Sequence, residues 1–160
     1  MSKIPIITGE DNHILRTKSE KVSSFNSDLK KLVKKLKKAL IEHNGLGIAA
    51  PQIGINERVV LITLNHGSDR PIILPMINPE IVEFSNESEV AEEGCLSLPG
   101  IFKDVERAKH IKIKFKDIEG TSLMLSLSDL NAREAQHEVD HLDGILFTDR
   151  VNSKKLNKIL

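Results

Sequence analysis

Apolar residues recur at helical spacing in an early segment of the chain, residues 27–43. Five of them fall at i, i+3, i+4, i+7 and i+11, which places them on one face of a helix: Leu29, Leu32, Val33, Leu36 and Leu40. Ser27 and Asp28 offer a cap and an acidic first turn, and Asn44-Gly45 offers a stop signal. The pattern predicts an amphipathic N-terminal helix.

Beyond this helix the pattern changes to short β-rich runs. Isoleucine and phenylalanine alternate with lysine over residues 111–116, which is typical of a half-buried antiparallel strand. Residues 117–120 supply turn chemistry before the next apolar run. The predicted strands are residues 58–64, 77–84, 110–116 and 122–127. A second helix is expected from Ser128 or Asp129 to Leu142, with Gly144 as its stop.

These elements predict an α+β fold, in which mostly antiparallel strands pack around the late helix. Linkers, internal repeats and low-complexity tracts are absent from the sequence, so we expect residues 1–160 to form a single domain.

Composition narrows the class of protein. The 160 residues are 39% hydrophobic and carry 23 Lys+Arg against 23 Asp+Glu, which excludes disordered and fibrous chains. The balanced charge gives no general basis for coating nucleic acid or a membrane. The single cysteine, Cys95, excludes an internal disulfide and fits a reducing compartment. Because the N-terminus has no signal-peptide core, we expect a cytoplasmic protein, with an organellar matrix as the alternative.

The late helix carries the pattern HExxH at residues 137–141. His137 and His141 lie four residues apart and therefore project from one helical face, where both imidazoles can bind one cation beside Glu138. The alternative is an exposed helix on which this short pattern is accidental.

A third ligand would decide between these two interpretations. The third histidine of the metzincin pattern would fall at Phe147, and no glutamate follows His141. Asp143 and Asp149 are weak candidates. The other histidines lack a comparable local pattern and are expected at the surface or in turns: His13, His43, His66 and His110. Cys95 is the better candidate, because its thiolate supplies the soft, charged ligand that two imidazoles lack. Such a set leaves a coordination position open, which indicates catalysis.

Three motifs in this order resemble those of the peptide deformylase family: GLGIAAPQ at residues 45–52, EGCLS at 93–97 and QHEVDH at 136–141. The likeness extends to Leu15-Arg16, Pro99-Gly100-Ile101, Val105-Glu106-Arg107 and Ala132-Arg133, and so covers nearly the whole chain. The resemblance implies one deformylase-like catalytic domain over residues 1–160. It also implies hydrolytic removal of the N-formyl group from the N-terminal methionine of nascent polypeptides.

The resemblance further implies one divalent metal ion, with Fe(II) favoured and Zn, Ni or Co as alternatives. The implied ligands are Cys95, His137 and His141. Glu138 is expected to take a proton from metal-activated water and to deliver it to the leaving amine. The expected donors to the developing oxyanion are the Gln52 side-chain amide and the backbone N–H of Leu96.

Substrate binding is expected at the glycine-rich loop. Gly47 would allow a peptide strand to lie close to the backbone and exchange main-chain hydrogen bonds. Leu46 and Leu130 are candidates for the apolar pocket of the methionine side chain, and both are equally compatible with plain core packing.

Glu134 departs from the family pattern, which usually has a small or apolar residue two positions before the motif glutamine. On a helix it leans toward the metal-bearing side, where it would alter side-chain preference or raise the proton affinity of Glu138. Alternatively, it points to solvent and pairs with Arg133 or another cation.

Partners other than the formylated nascent chain are less clearly indicated. The chain stops 19 residues after His141, and this short basic tail, residues 154–158, weakens the expectation of ribosome docking. Six lysines of the first helix form another basic surface, which is usually a solvated face. We expect a monomer without membrane attachment. Two rival functions are a metallopeptidase acting on ordinary peptide bonds and a binding module with a degenerate site.

Overall fold

The computed structural model describes residues 2–151, which contain seven strands, three α-helices with both ends described and a further helical segment over residues 147–151. The helices are α1 (His13–Arg16), α2 (Ser27–Glu42) and α3 (Asp129–Leu142), and a 3-10 helix spans Ala50–Ile53. The strands are β1 (Gly47–Ala49), β2 (Val59–Leu64), β3 (Ile72–Phe84), β4 (Ser88–Cys95), β5 (Leu98–Ala108), β6 (His110–Lys116) and β7 (Ser122–Ser128). None of the described helices is long and apolar enough to cross a membrane.

The strands form two antiparallel sheets. One sheet has five strands in the order β1-β2-β3-β6-β7, and β4 pairs with β5 in a separate two-stranded ribbon. Strand β1 therefore lies at an edge of the larger sheet. This arrangement confirms the predicted α+β fold with mostly antiparallel strands.

Strand β2 separates the two main apolar clusters. Val59 and Leu61 pack in the cluster that contains α2, whereas Val60 and Ile62 pack in the cluster that contains α3. All four side chains are fully buried, as expected for a strand whose alternate residues face opposite layers. The sheet therefore lies between the two long helices, and α3 is buried against one of its faces.

Strand β6 has the predicted bounds and the predicted alternation. Its apolar side chains face α3, while its lysines lie on the opposite, exposed face. Lys112 and Lys114 form ion pairs of 3.4 Å with Glu83 and Glu80 of the neighbouring β3. These cross-strand pairs cover the outer face of the sheet with charge.

The sequence pattern missed the ribbon of β4 and β5. Most residues of both strands are exposed, so their sequences lack the alternation that marks a half-buried strand. The three-residue strand β1 is fully buried and is also too short to show a period.

The start of α2 corrects one detail of the prediction, whereas α3 begins at Asp129, one of its two predicted starts. Asn26, not Ser27, caps α2, because its side chain accepts the backbone N–H groups of Asp28 and Leu29 at 3.1 and 3.3 Å. The Ser128 hydroxyl makes no capping bond to α3 and instead contacts His110 Nδ1 at 2.8 Å.

Gly144 follows α3, as predicted, and its replacement should be costly. Its φ is +72°, and an added Cβ would lie 2.5 Å from the Arg16 carbonyl oxygen, a backbone atom that cannot step aside. We expect Gly144→Ala to lower the free energy of unfolding by about 2–4 kcal/mol, measured by urea denaturation. Gly67→Ala is the matched control, because Gly67 also has a positive φ (+84°) but no atom within 4 Å of an added Cβ. A loss no larger than that of the control would contradict the steric argument.

Candidate metal centre

Three side chains from two elements meet beside helix α3. Cys95 ends β4, and His137 and His141 project from one face of α3. Their ligand atoms all lie within 4.8 Å of one another, and Cys95 Sγ is 3.3 Å from His141 Nε2. A register irregularity after Glu93 brings Cys95 opposite Leu98, so the ribbon turns sharply at the cysteine. The structure thus brings the three predicted ligands together.

The donor set fits a divalent transition-metal ion. A thiolate and two imidazoles are typical ligands of iron or zinc, and three donors leave a position for water. Both imidazoles are buried, and Cys95 is half-buried. Glu138 Oε2 is also buried and has no hydrogen-bond partner among residues 2–151, so it is available to a water molecule on the ion.

Glu93 orients one of the two candidate ligand imidazoles. Its carboxylate lies 2.9 Å from His137 Nδ1, which leaves His137 Nε2 for the metal. Arg107 donates two hydrogen bonds of 2.9 Å to the same carboxylate, and Arg133 donates one of 2.6 Å. Burial alone would raise the pKa of Glu93, but the hydrogen bonds from Arg107 and His137 outweigh it and hold the pKa well below its usual range.

The charged network continues through Asp140. This carboxylate accepts a 2.7 Å hydrogen bond from Arg107 and bonds of 2.7 and 3.1 Å from Arg150. It joins α3 both to β5 and to the segment that follows α3. The sequence reasoning missed this network, although charged residues at buried helix and strand positions were a signal for it.

The two imidazoles differ in proton affinity. Burial lowers the pKa of His137, but its hydrogen bonds with Cys95 and Glu93 outweigh this effect and raise it well above its ordinary value. Burial and the charges of His137 and Arg107 lower the pKa of His141 well below its ordinary value. An arriving metal ion must therefore displace a proton from His137, so acid should weaken metal binding.

Glu138 is positioned by a close approach of the backbone. An added Cβ at Gly47 would lie only 2.6 Å from Glu138 Oε1. Burial raises the pKa of Glu138 to about 8, an effect that the charge of His137 opposes and that of Glu134 reinforces. A carboxyl group with such a pKa can both take and return a proton near neutral pH.

Gln52 lies in the 3-10 helix that follows β1, and its side chain has a fixed orientation. Its Oε1 accepts the backbone N–H of Ala49 at 2.9 Å, which turns Nε2 toward Ser97 Oγ at 3.1 Å and Cys95 Sγ at 3.6 Å. Its side-chain amide can therefore donate into the space beside the candidate metal ligands. Leu96 follows Cys95 directly and lines the same cavity.

A cavity of about 600 Å³ opens onto these groups. The three candidate substrate-binding residues, Leu46, Gly47 and Leu130, also line this cavity. So does Glu134, the residue that departs from the family pattern. Leu130 is 42% exposed, so it belongs to the cavity wall and not to the packed core.

The remaining ligand candidates lie elsewhere. Asp143 pairs with Arg58 at 2.9 Å, and Asp149 pairs with Arg16 at 2.6 Å. His43 bonds the Ile4 carbonyl oxygen through Nε2 at 2.7 Å. Within residues 2–151, one group of His, Cys, Asp or Glu side chains is close enough together to hold a metal ion. It consists of Cys95, His137 and His141.

Comparison with known proteins decides the family. The sequence model described as polypeptide deformylase matches residues 4–157. The chain belongs to the polypeptide deformylase family. A peptide deformylase from Thermotoga maritima is 40% identical over 142 residues, which are 89% of this chain and 84% of that protein.

Solved deformylase structures share the fold. A class I type b peptide deformylase from Acinetobacter baumannii superposes with a TM-score of 0.88 at 37% identity, covering 94% of this chain and 99% of that one. A second structure of that enzyme, bound to Met-Ala-Ser, has a TM-score of 0.85 at 36% identity, covering 93% and 98%.

The close approach of Gly47 to Glu138 predicts that a methyl group added at Gly47 lowers the activity of this deformylase site. Gly47→Ala should displace the Glu138 carboxylate while leaving the three ligands in place, so hydrolysis of a formylated peptide should fall about 10- to 100-fold at unchanged metal content. Gly45→Ala is the control, because its added Cβ would meet the side-chain ends of Leu96 and Leu40 at 3.0 and 3.1 Å and the Gly47 carbonyl oxygen at an ordinary contact distance of 3.4 Å. Equal activity of the two variants would show that Glu138 does not depend on this contact.

Proposed function

We propose that this chain removes the N-formyl group from formylmethionyl peptides by metal-dependent hydrolysis, with Glu138 moving the proton. Membership of the polypeptide deformylase family makes the chain a hydrolase of this class. The observation that carries the residue roles is the convergence of three ligand atoms within 4.8 Å beside a buried, unpartnered Glu138 oxygen.

A divalent ion held by Cys95, His137 and His141 would supply water acidic enough to attack an acyl carbon near neutral pH. We propose Fe(II) as the native ion, with Zn, Ni and Co as substitutes. The contact with Glu93 supports the role of His137 as a ligand, because it fixes the orientation of the ring and raises the basicity of the nitrogen that would bind the ion.

Glu138 acts first as a base and then as an acid. Its buried carboxylate accepts a proton from the attacking water and delivers it to the amine that leaves when the formamide C–N bond breaks. Its raised pKa, to about 8, suits the second step, because the protonated form remains accessible. The charge of a bound ion would favour the ionised form and so suits the first step.

Gln52 and Leu96 stabilise the charge that develops on the formyl oxygen. The Gln52 amide is held by Ala49, and the Leu96 backbone N–H lies next to a metal ligand in the chain. Donors that are fixed before the reaction stabilise the transition state without a cost of reorientation.

The peptide binds along β1 in this proposal. As an edge strand, β1 offers its free side to an added strand, and Gly47 allows that strand to approach closely. Main-chain hydrogen bonds of this kind tolerate many sequences, which suits an enzyme acting on diverse nascent chains. Leu46 and Leu130 of the cavity wall would contact the first side chain.

The proposed cellular setting follows from the single cysteine and from the basic segments of the chain. We assign the enzyme to the cytoplasm, where Cys95 would stay reduced, and expect a monomer. The basic tail at residues 154–158 lies outside the described residues, so ribosome docking through it stays a prediction. The lysines of α2 are exposed, and Lys30 and Lys38 lie within 4 Å of Glu119 and Glu42 (3.4 and 3.8 Å), which favours a solvated face.

The proposed roles of Glu138 and Cys95 predict that one substitution lowers the deformylation rate and the other lowers the metal affinity. Glu138→Ala should keep its metal, because all three ligands remain, but should lose about 10²- to 10⁴-fold in deformylation rate. Cys95→Ser should instead lose metal affinity. Metal content by mass spectrometry and turnover of formyl-Met-Ala-Ser measure both effects. Near-normal turnover by Glu138→Ala would overturn its proposed role.

The same assay separates deformylation from the rival functions. The wild-type protein should release formate from formyl-Met-Ala-Ser and leave the peptide bonds of unformylated Met-Ala-Ser intact. Cleavage of the unformylated peptide would favour a metallopeptidase. Metal binding without hydrolysis of either peptide would favour a binding module.

If Fe(II) is the native ion, the activity of the enzyme should be sensitive to air. A thiolate beside a redox-active ion with an open position is exposed to oxidation, so the Fe(II) enzyme should be the most active form but should lose activity in air as Cys95 is oxidised. The Ni or Co form should retain both activity and a reduced Cys95. Activity and the mass of the Cys95 peptide, followed together under air, test this. Inactivation with Cys95 still reduced would contradict the mechanism.

A further inference from the structure

Glu134 is a carboxylate inside the substrate cavity that the proposed reaction does not use. It lies on α3 one turn before His137 and Glu138, so it shares their face of the helix. It is half-buried and lines the same cavity. Within residues 2–151 it makes no hydrogen bond or ion pair. Arg133, its neighbour in sequence, is already engaged by the Glu93 carboxylate and by the carbonyl oxygens of Val105 and Glu89.

Glu134 has no direct partner for its charge among residues 2–151. Burial raises the pKa of Glu134 and the nearby Glu93 adds to this effect, whereas the charges of His137, Arg107 and Arg133 oppose it without outweighing it. An ionised carboxylate in such a place is stabilised by any cation that enters the cavity. The potential cations on the cavity wall have other partners, because His43 bonds Ile4, and both Arg133 and His137 bond Glu93.

Three large apolar side chains line the cavity together with Glu134: Leu46, Phe102 and Leu130. Phe102 and Leu130 are 61% and 42% exposed. About one helical turn, ~5.4 Å, separates Glu134 from His137 and Glu138 along this face of α3, a span within reach of a side chain as long as methionine or lysine. An apolar wall with a carboxylate at its end matches a long aliphatic stem that carries a positive group.

We infer that Glu134 is a specificity-determining residue that biases the pocket for the first side chain toward long side chains with a positive end. The inference rests on the proposed function, since it assumes that a formylated peptide places its first side chain in this cavity. Lysine and norleucine form the matched pair of substrates, because they share a four-carbon stem and differ in the terminal ammonium group.

The test compares formyl-Lys-Ala-Ser with formyl-norleucine-Ala-Ser, with formyl-Met-Ala-Ser as the reference for activity. In the wild-type enzyme, kcat/KM for the lysine peptide relative to the norleucine peptide should exceed the ratio in Glu134→Gln by about tenfold. Glu134→Leu should show the same loss of preference and should hydrolyse the norleucine peptide faster than wild type does. Glu92→Gln is the control, because Glu92 is an exposed carboxylate on the wall of the same cavity.

The outcomes separate this inference from the function on which it rests. An unchanged ratio in active Glu134→Gln and Glu134→Leu enzymes, or an equal fall in Glu92→Gln, would overturn the role of Glu134 while leaving deformylation intact. A wild-type enzyme that hydrolyses none of the three peptides would overturn the proposed function and this inference with it.

Discussion

A buried carboxylate, Glu93, connects helix α3, which carries two of the candidate metal ligands, to the ribbon that carries the third, Cys95. It accepts hydrogen bonds from Arg107 of β5 and Arg133 of α3, and it contacts His137 Nδ1. Taking one carboxylate and two guanidinium groups out of water is costly unless every polar atom finds a partner. The geometry of this cluster therefore fixes how α3 sits against the ribbon, and Cys95 follows two residues after Glu93 on the same strand.

The chemistry of the site depends on that arrangement. Because Glu93 holds His137 by one nitrogen, the other nitrogen faces Cys95 and His141 before any ion arrives. The pKa of Glu93 lies below its usual range, so its contribution to stability is complete at neutral pH and is lost as the pH falls through and below the ordinary carboxyl range. Metal binding should weaken in acid as well, since His137 then holds its proton. The fold and the metal site thus share one electrostatic requirement.

The sequence predicted the helices and strands that bury one face, because their apolar residues recur with the period of the element. The stripe of α2 and the alternation of β6 are of this kind, and the spacing of His137 and His141 places both on one helical face. The ribbon of β4 and β5 was missed because most of its residues are exposed. The candidate ligand set needed a third residue 42 positions before His137, which local spacing cannot reveal. The chemistry of the single thiol favoured Cys95, and the family resemblance then implied the same residue. The position of Glu134 was left between two alternatives, and the engagement of Arg133 by Glu93 favours the cavity.

The proposed metal site depends most directly on Glu93, the residue that orients His137. The decisive measurement is the affinity for Zn(II), determined by competition with a chelator, in Glu93→Gln and in Glu89→Gln, which removes an exposed carboxylate from the same strand. For Glu93→Gln with a wild-type circular dichroism spectrum, the affinity should fall about 10- to 100-fold, and Glu89→Gln should match wild type. Equal affinity of folded Glu93→Gln and wild type would show that the buried charge cluster does not organise the metal site.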